Sequence, residues 1–386
     1  MSVTARAQYR FGHAYLIAPL AVLALVGVTA CSSGSSTSPG AGASGGAGAT
    51  GSVVVAHAAG VNGEAVESLL KQFTAETGIR ATGATLSDTD YGAKVQLVAK
   101  TGKSDYDVAL GMPTDVFQLT APSGIYSQLD TSKWDKKDVD AMKAANLLGT
   151  NSAISQETAA LLVSSSKVTK QPTSWGDFFD VTTFPGNRGL ASGGLGVPVN
   201  VEYANIASGA TADKLYPLDV EKGIEKIRTL LGNKAVLWDN APKGIQDVVN
   251  GDTVMTWAYA PSALTALKNN QPIQVSAPPG TAVATGVGTG FKAGPNGPAS
   301  AAAFLAWWFK AANQVKYTAA TGYGIVVPSK EVLGQLTPDQ LKYLPFAGQD
   351  AANYHVLNYE YYGAVGAGGQ SNLATILTAW NKFRSK

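Results

Sequence analysis

Pro172 to Leu190 reads P-T-S-W-G-D-F-F-D-V-T-T-F-P-G-N-R-G-L. Trp175, Phe178 and Phe179 stand at i, i+3 and i+4, so they share one face of a short helix. Ser174 is placed to cap that helix, and Asp177 suits its first turn, where a negative charge meets the helix dipole. Pro185-Gly186 stops the segment and leads Arg188 into the apolar run that follows. Taken alone, the stretch is an aromatic connection into a strand, and its rings are expected in a core.

The same line resembles a segment of the extracellular solute-binding proteins of ABC importers, in the branch named for spermidine and putrescine. Lys214 to Leu231 (K-L-Y-P-L-D-V-E-K-G-I-E-K-I-R-T-L-L) and Trp238 to Trp257 (W-D-N-A-P-K-G-I-Q-D-V-V-N-G-D-T-V-M-T-W) resemble that branch in the same order. The likeness runs from about Gly51 to the C-terminus. It implies an α/β chain with the two-lobed periplasmic-binding-protein fold (type II). Each lobe would be an α/β sheet domain, and hinge crossings would join the two. It implies a monomer that captures a solute and hands it to an ABC permease, with no catalysis and no cofactor.

Outward toward the N-terminus, Arg6 and Arg10 precede an uncharged run, Ala14 to Ala30, which is short for a membrane span of ~20 residues. Charge, apolar run and small-residue ending make a secretory signal. Val28-Thr29-Ala30-Cys31 resembles a lipobox, with Cys31 as the lipidated residue. Cys31 is the single cysteine of the chain, so no disulfide can form within it. Residues 1–30 are therefore expected to be a lipoprotein signal, and 31–52, nearly all Ser, Gly, Ala, Thr and Pro, a flexible tether. The expected location is the outer face of the cytoplasmic membrane or the periplasm. Gly40 to Gly45 and Gly42 to Gly46 match dinucleotide and hydrolase patterns, but neither has the flanking strand and helix that give those patterns meaning.

The formal charge is +2 and charged residues make up 15% of the chain, with no basic run to suggest nucleic acid. Roughly 335 residues after the tether exceed what one core organises, so two lobes are expected. Strand-like runs at Val53–Ala56, Ile79–Leu86 and Tyr106–Leu110 alternate with helical ones, the pattern of a parallel sheet. Ligands sit beyond the carboxyl ends of such strands, which singles out three loops: His57–Asn62, Ser87–Tyr91 and Gly111–Thr114. A second α/β block follows a crossing near Gly149–Ser155. The proline-rich 271–284 stretch crosses back, and Tyr323–Pro328 is strand-like. Lobe 1 is thus expected over 51–153 and 275–330, and lobe 2 over 154–274 and 331–386 with C-terminal helices.

His57 and His355 are the only histidines beyond the signal, too few for a zinc site, and no metal is expected. Polyamine-binding relatives pair carboxylates with aromatic rings, because ion pairing and cation–π contact together hold an alkylammonium. Trp238, Trp257 and Tyr259, at strand ends, are the expected rings. Asp239 and Asp88 are the expected carboxylates, with Tyr91 and His57 in the facing loops. Glu202 is the first acid after the glycine-rich 193–200 stretch. Acids that polyamine binders carry are missing after Trp257 and in Thr285–Thr289. The solute is therefore either polyamine-like or a neutral organic molecule. Tyr359, Tyr361 and Tyr362 raise ferric iron as a further alternative, since iron(III) favours anionic oxygen. No spacing argues for a secreted enzyme.

Overall fold

The computed structural model describes residues 51–321, 330–344, 354–366 and 368–385. The signal, Cys31, the tether to residue 50 and the strand expected at 323–328 lie outside them. The first lobe opens with β1 (Ser52–Ala58), α1 (Val61–Thr77), β2 (Arg80–Leu86), α2 (Asp88–Thr101) and β3 (Val108–Pro113). Val66, Leu69, Leu70 and Phe73 are all buried, as the helical spacing requires, and Gly78 ends α1 with a left-handed φ of 75°. The Ser87–Tyr91 loop is not a loop. Ser87 accepts the Asp90 N–H at 3.1 Å, which caps α2 and turns Asp88–Tyr91 into its first turn. α3 (Thr114–Thr120) and α4 (Lys136–Ala144) complete this part.

β4 (Ala153–Ser164) then leads into the second lobe. There the opening stretch folds as its spacing predicts, as α5 (Trp175–Phe179) with a full Ser174–Asp177 capping box. Trp175, Phe178 and Phe179 are buried. Arg188 is buried with them. Its guanidinium donates to the carbonyls of Phe178, Asp180, Phe184 and Gly186, so it ties the loop back on itself. Burial lowers its pKa to about 10, which still leaves it charged at neutral pH. β5 (Arg188–Ala191), α6 (Gly196–Ile206), α7 (Val220–Leu231), β6 (Ala235–Trp238), α8 (Ala241–Asn250), β7 (Met255–Tyr259), α9 (Ala260–Lys268) and β8 (Ile273–Ser276) follow.

β9 (Thr281–Gly290) returns to the first lobe, where α10 (Gly297–Trp308) and α11 (Ala311–Thr321) pack Phe304 and Trp307 edge-on against Phe73. α12 (Lys330–Leu333), α13 (Pro338–Leu341), β10 (Tyr354–Val356), α14 (Tyr359–Gly363) and α15 (Asn372–Arg384) end the chain. Val332, Leu336 and Leu344 pack with Ala311 and Val315 of α11, while Tyr343 reaches the Val275 carbonyl of β8. α14 and α15 instead join the second-lobe core through Tyr359, Tyr362, Ile376 and Trp380.

The strand order is β2-β1-β3-β9-β4-β7-β5-β6, with β10 beside β9 and β8 beside β4. β1, β2 and β3 are parallel, and so are β5, β6 and β7. β4 pairs with β9 from Ala153 to Thr158, and with β7 from Ala159 to Val163. The change of partner thus falls between Thr158 and Ala159, where the polar Ser155–Thr158 stretch gives way to the apolar Ala159–Val163 run within one unbroken strand.

Candidate functional site

Two sets of parallel strands end at one place. β3 ends at Pro113, opposite Gly286, which pairs with Ser155. β7 ends at Tyr259, opposite Ala159. Only four residues of β4 separate those points, or ~13 Å at a strand's rise per residue. The floor of this seam is Gln156–Thr158 paired with Val283–Thr285. The helices that follow the converging strands begin at its walls: α1 and α3 from the first lobe, α6, α8 and α9 from the second. Strand ends and helix starts facing one another are where open α/β sheets take ligands.

The expected rings do come together, but as core. Trp257 is 1% exposed and Trp238 6%, with ring centroids 5.0 Å apart. The Trp257 indole N–H donates to Asn200 Oδ1 at 2.8 Å, and that of Trp238 to Thr256 Oγ1 at 3.0 Å. Tyr203 packs edge-on against Trp257, and Gly196 lets α6 approach, since a Cβ there would stand 2.5 Å from that of Ala191. The two tryptophans therefore do not present open faces to the seam. Trp257, on the interior strand β7, is covered by α6 near Gly196, and Trp238, on the edge strand β6, by α8 near Gly244. Tyr259, partly open at the end of β7 and edge-on to Trp257, is the ring that remains at the strand ends. Asp239 is exposed and accepts from Asn240.

Glu202 belongs to a separate, closed cluster. It is 0% exposed and accepts from the hydroxyls of Tyr216 and Tyr362 and, at 2.9 Å, from His355 Nε2. With three donors on one carboxylate that is 0% exposed, it fastens β10 and α14 to α6 and is closed off from the seam. Burial, reinforced by the Glu202 charge, pushes the Tyr216 and Tyr362 hydroxyls far above the ordinary tyrosine range. Burial likewise holds Tyr359 up at about 12.

In the first lobe, Tyr91 is buried and its hydroxyl donates to the Leu110 carbonyl at 2.9 Å. His57 is buried between the Ala58 carbonyl, 2.9 Å from Nδ1, and Glu67 Oε1, 3.0 Å from Nε2. A cavity of about 390 Å³ opens beside it, between α1 and the edge strand β2, lined by Glu64, Glu67, Lys71 and Thr85. The Asp88 side chain lies outside the described residues. Residues missed in the sequence reading stand nearer the seam. Asn62, in the first turn of α1, has a buried Oδ1 with no hydrogen-bond partner among the described residues. Asp115 is half-buried in the first turn of α3, and its charge acts on the Tyr359 hydroxyl. Glu157 stands half-buried on the floor. The strand-end rule named the His57–Asn62 loop, which includes Asn62 without singling it out, and the Gly111–Thr114 loop just before Asp115, but gave no reason to continue into α3. Among the described residues no three His, Cys, Asp or Glu side chains group as metal ligands, and no helix is long and apolar enough to cross a membrane.

The family model described as "Bacterial extracellular solute-binding protein" matches residues 68–338. The chain belongs to that family. The family binds solutes for transport and performs no catalysis on them. A γ-aminobutyric acid-binding protein of Pseudomonas aeruginosa is 28% identical over 176 residues, which are 43% of this chain and 47% of the relative. The match thus spans about half the length of that curated relative. Among solved structures, a GABA receptor superposes with a TM-score of 0.71 at 22% identity, over 87% of this chain and 98% of its own. An ABC transporter substrate-binding protein from Bradyrhizobium japonicum gives 0.72 at 20% identity, over 86% and 99%. A spermidine/putrescine substrate-binding protein from Streptococcus pneumoniae gives 0.66 at 16% identity, over 87% and 100%. At these identities the likeness establishes the two-lobed fold.

Proposed function

We propose that this solute-binding chain is the capture subunit of an ABC importer, anchored outside the cell through a lipidated Cys31. In this reading it takes a small amine-bearing solute at the seam and passes it to a permease. The observation that carries this reading is the convergence of both sets of strand ends on Gln156–Thr158 and Val283–Thr285. The first-lobe wall and the floor offer acceptors, namely Asn62 Oδ1, Asp115 and Glu157, which suit an ammonium group. Tyr259 adds a ring for the alkyl chain.

Between the amine classes, an ω-amino acid fits better than a polyamine. A polyamine needs carboxylates at both ends, and Asp239 is exposed where the second-lobe wall would need one. That wall instead carries the starts of α6 and α9, neither of which has a side-chain cap, so their first N–H groups suit a carboxylate. The γ-aminobutyric acid-binding relative supports the same class. Calorimetry with γ-aminobutyric acid, spermidine and an uncharged amide tests it. The amino acid is expected to bind at least tenfold more tightly than either, and Asp115→Asn to weaken it about tenfold or more by removing the ammonium's countercharge. Tighter binding of spermidine would restore the polyamine reading, and binding of none of the three would refute the amine class.

A further inference from the structure

Thr285 lies at an interruption in the sheet. Val283 pairs with Thr158 of β4 on one edge and with Val356 of β10 on the other. Gly286 pairs with Ser155 of β4 and, on that same other edge, with Pro113 of β3. Between those two partners no strand among the described residues covers the edge of β9, where the N–H and C=O of Thr285 lie. Two side chains take the place of the missing strand. The Thr285 N–H donates to the Tyr359 hydroxyl at 2.8 Å. The Thr114 hydroxyl donates to the Thr285 carbonyl at 2.9 Å and lies 2.6 Å from the Thr285 hydroxyl. Thr114 begins α3, which packs in the first-lobe core through Val116. Tyr359 begins α14 and is part of the second-lobe core. α3 and α14 pack against each other at this point.

We infer that Thr285 is a pivot of the interlobe motion, held by a two-sided latch of hydroxyls from opposite lobes: Thr114 donates to its carbonyl, and Tyr359 accepts from its N–H and, at 3.4 Å, also donates to that carbonyl. A peptide held by strand partners on both edges moves as part of a sheet. This peptide is held by one hydroxyl from each lobe, so rotation of one lobe against the other must lengthen at least one of these bonds. The latch therefore favours the arrangement described here over any rotated one. The Glu202 cluster fixes the strap that carries Tyr359, and so holds the second-lobe side of the latch in place. The inference does not depend on which solute is bound.

The test measures the lobes themselves, without ligand. Spin labels at Lys100→Cys on α2 and Glu221→Cys on α7, in the full chain carrying Cys31→Ala, report the interlobe distance by pulsed electron resonance. Tyr359→Phe keeps the ring and removes the acceptor. Thr114→Val keeps the shape and removes the donor, and Thr114→Ser restores it. Each of the first two variants is expected to enlarge the rotated population about fivefold, the factor that follows from losing one buried hydrogen bond. Thr114→Ser is expected to match the parent. The latch is overturned if both distance distributions stay as in the parent, if only one of the two variants moves, or if Thr114→Ser shifts as far as Thr114→Val. Far-ultraviolet circular dichroism on the same samples establishes that each variant is folded, and a variant that unfolds is replaced by Thr285→Pro, which removes the donated N–H; an unmoved distance distribution there also overturns the latch.

Discussion

Trp257→Ala separates a ring that holds the solute from a ring that holds the protein. On an open strand end, the substitution would remove a stacking surface and leave the fold intact, with a loss of ~1–2 kcal/mol of binding. The structure predicts the reverse order of damage. Trp257 is 1% exposed, and the rings of Trp238, Tyr203 and Tyr259 lie edge-on to it at 5.0, 6.1 and 5.9 Å. Truncating a buried aromatic costs about 3–5 kcal/mol, because the cavity collapses only in part. Losing the indole N–H on Asn200 Oδ1 adds about 1 kcal/mol, softened because Asn200 still exchanges two bonds with the Ala191 backbone. Against a total stability of about 5–15 kcal/mol, that loss leaves the second lobe marginal or unfolded at room temperature. Urea unfolding followed by tryptophan fluorescence measures it. Trp257→Phe, which keeps most of the ring, is expected to fall between Trp257→Ala and the parent. A Trp257→Ala protein with the parent's unfolding midpoint and no affinity for solute would refute this reasoning and return Trp257 to the binding site.

Three further outcomes follow from particular residues. Glu202→Gln places an amide donor among three groups that already donate, so a loss of about 3 kcal/mol is expected, with faster hydrogen exchange across residues 354–366; unchanged exchange there would show that the cluster does not hold the strap. Burial raises the Tyr359 and Tyr126 hydroxyls to about 12 from the ordinary 10.0, so their contribution to stability is complete below pH 10 and is lost as pH rises toward 12. Urea midpoints should fall over that interval, and Tyr359→Phe should fall less steeply than the parent; equal slopes would contradict the assignment. Cys31→Ala should move the protein from the membrane fraction to soluble or unprocessed forms, since each buried acyl CH₂ contributes about 0.8 kcal/mol, while unchanged fractionation would remove the lipoprotein reading.

The parts of the molecule that were legible in the sequence are those fixed by local periodicity and turn chemistry. Trp175, Phe178 and Phe179 share a face because of their spacing, and Ser174 and Asp177 form the cap because their residue types suit it. The alternation of strands and helices led to parallel sheets, and the family likeness led to two lobes. The Ser87–Tyr91 loop was misread because Ser87 and Asp90 are equally at home in a turn and in a cap, and only the following helix decides between them. The site was harder to read for a different reason. Position at a strand end is a statement about the backbone, but access is a statement about what packs over the side chain. Trp238 and Trp257 satisfy the first and fail the second, because α6 closes over Trp257 and α8 over Trp238. Glu202 was a candidate ligand-binding acid, yet two of its three partners, His355 and Tyr362, are more than 150 residues away in the chain, at separations of 153 and 160. Thr285 carried no signal in a Thr-Gly-Val-Gly-Thr run. Its proposed role rests on β9 losing β10 after Val283 and meeting the end of β3 only at Gly286, and neither fact is written near Thr285. Local rules thus reach the elements and the strand ends. The identity of the groups that face the solute depends on contacts between lobes, where no short-range pattern can supply it.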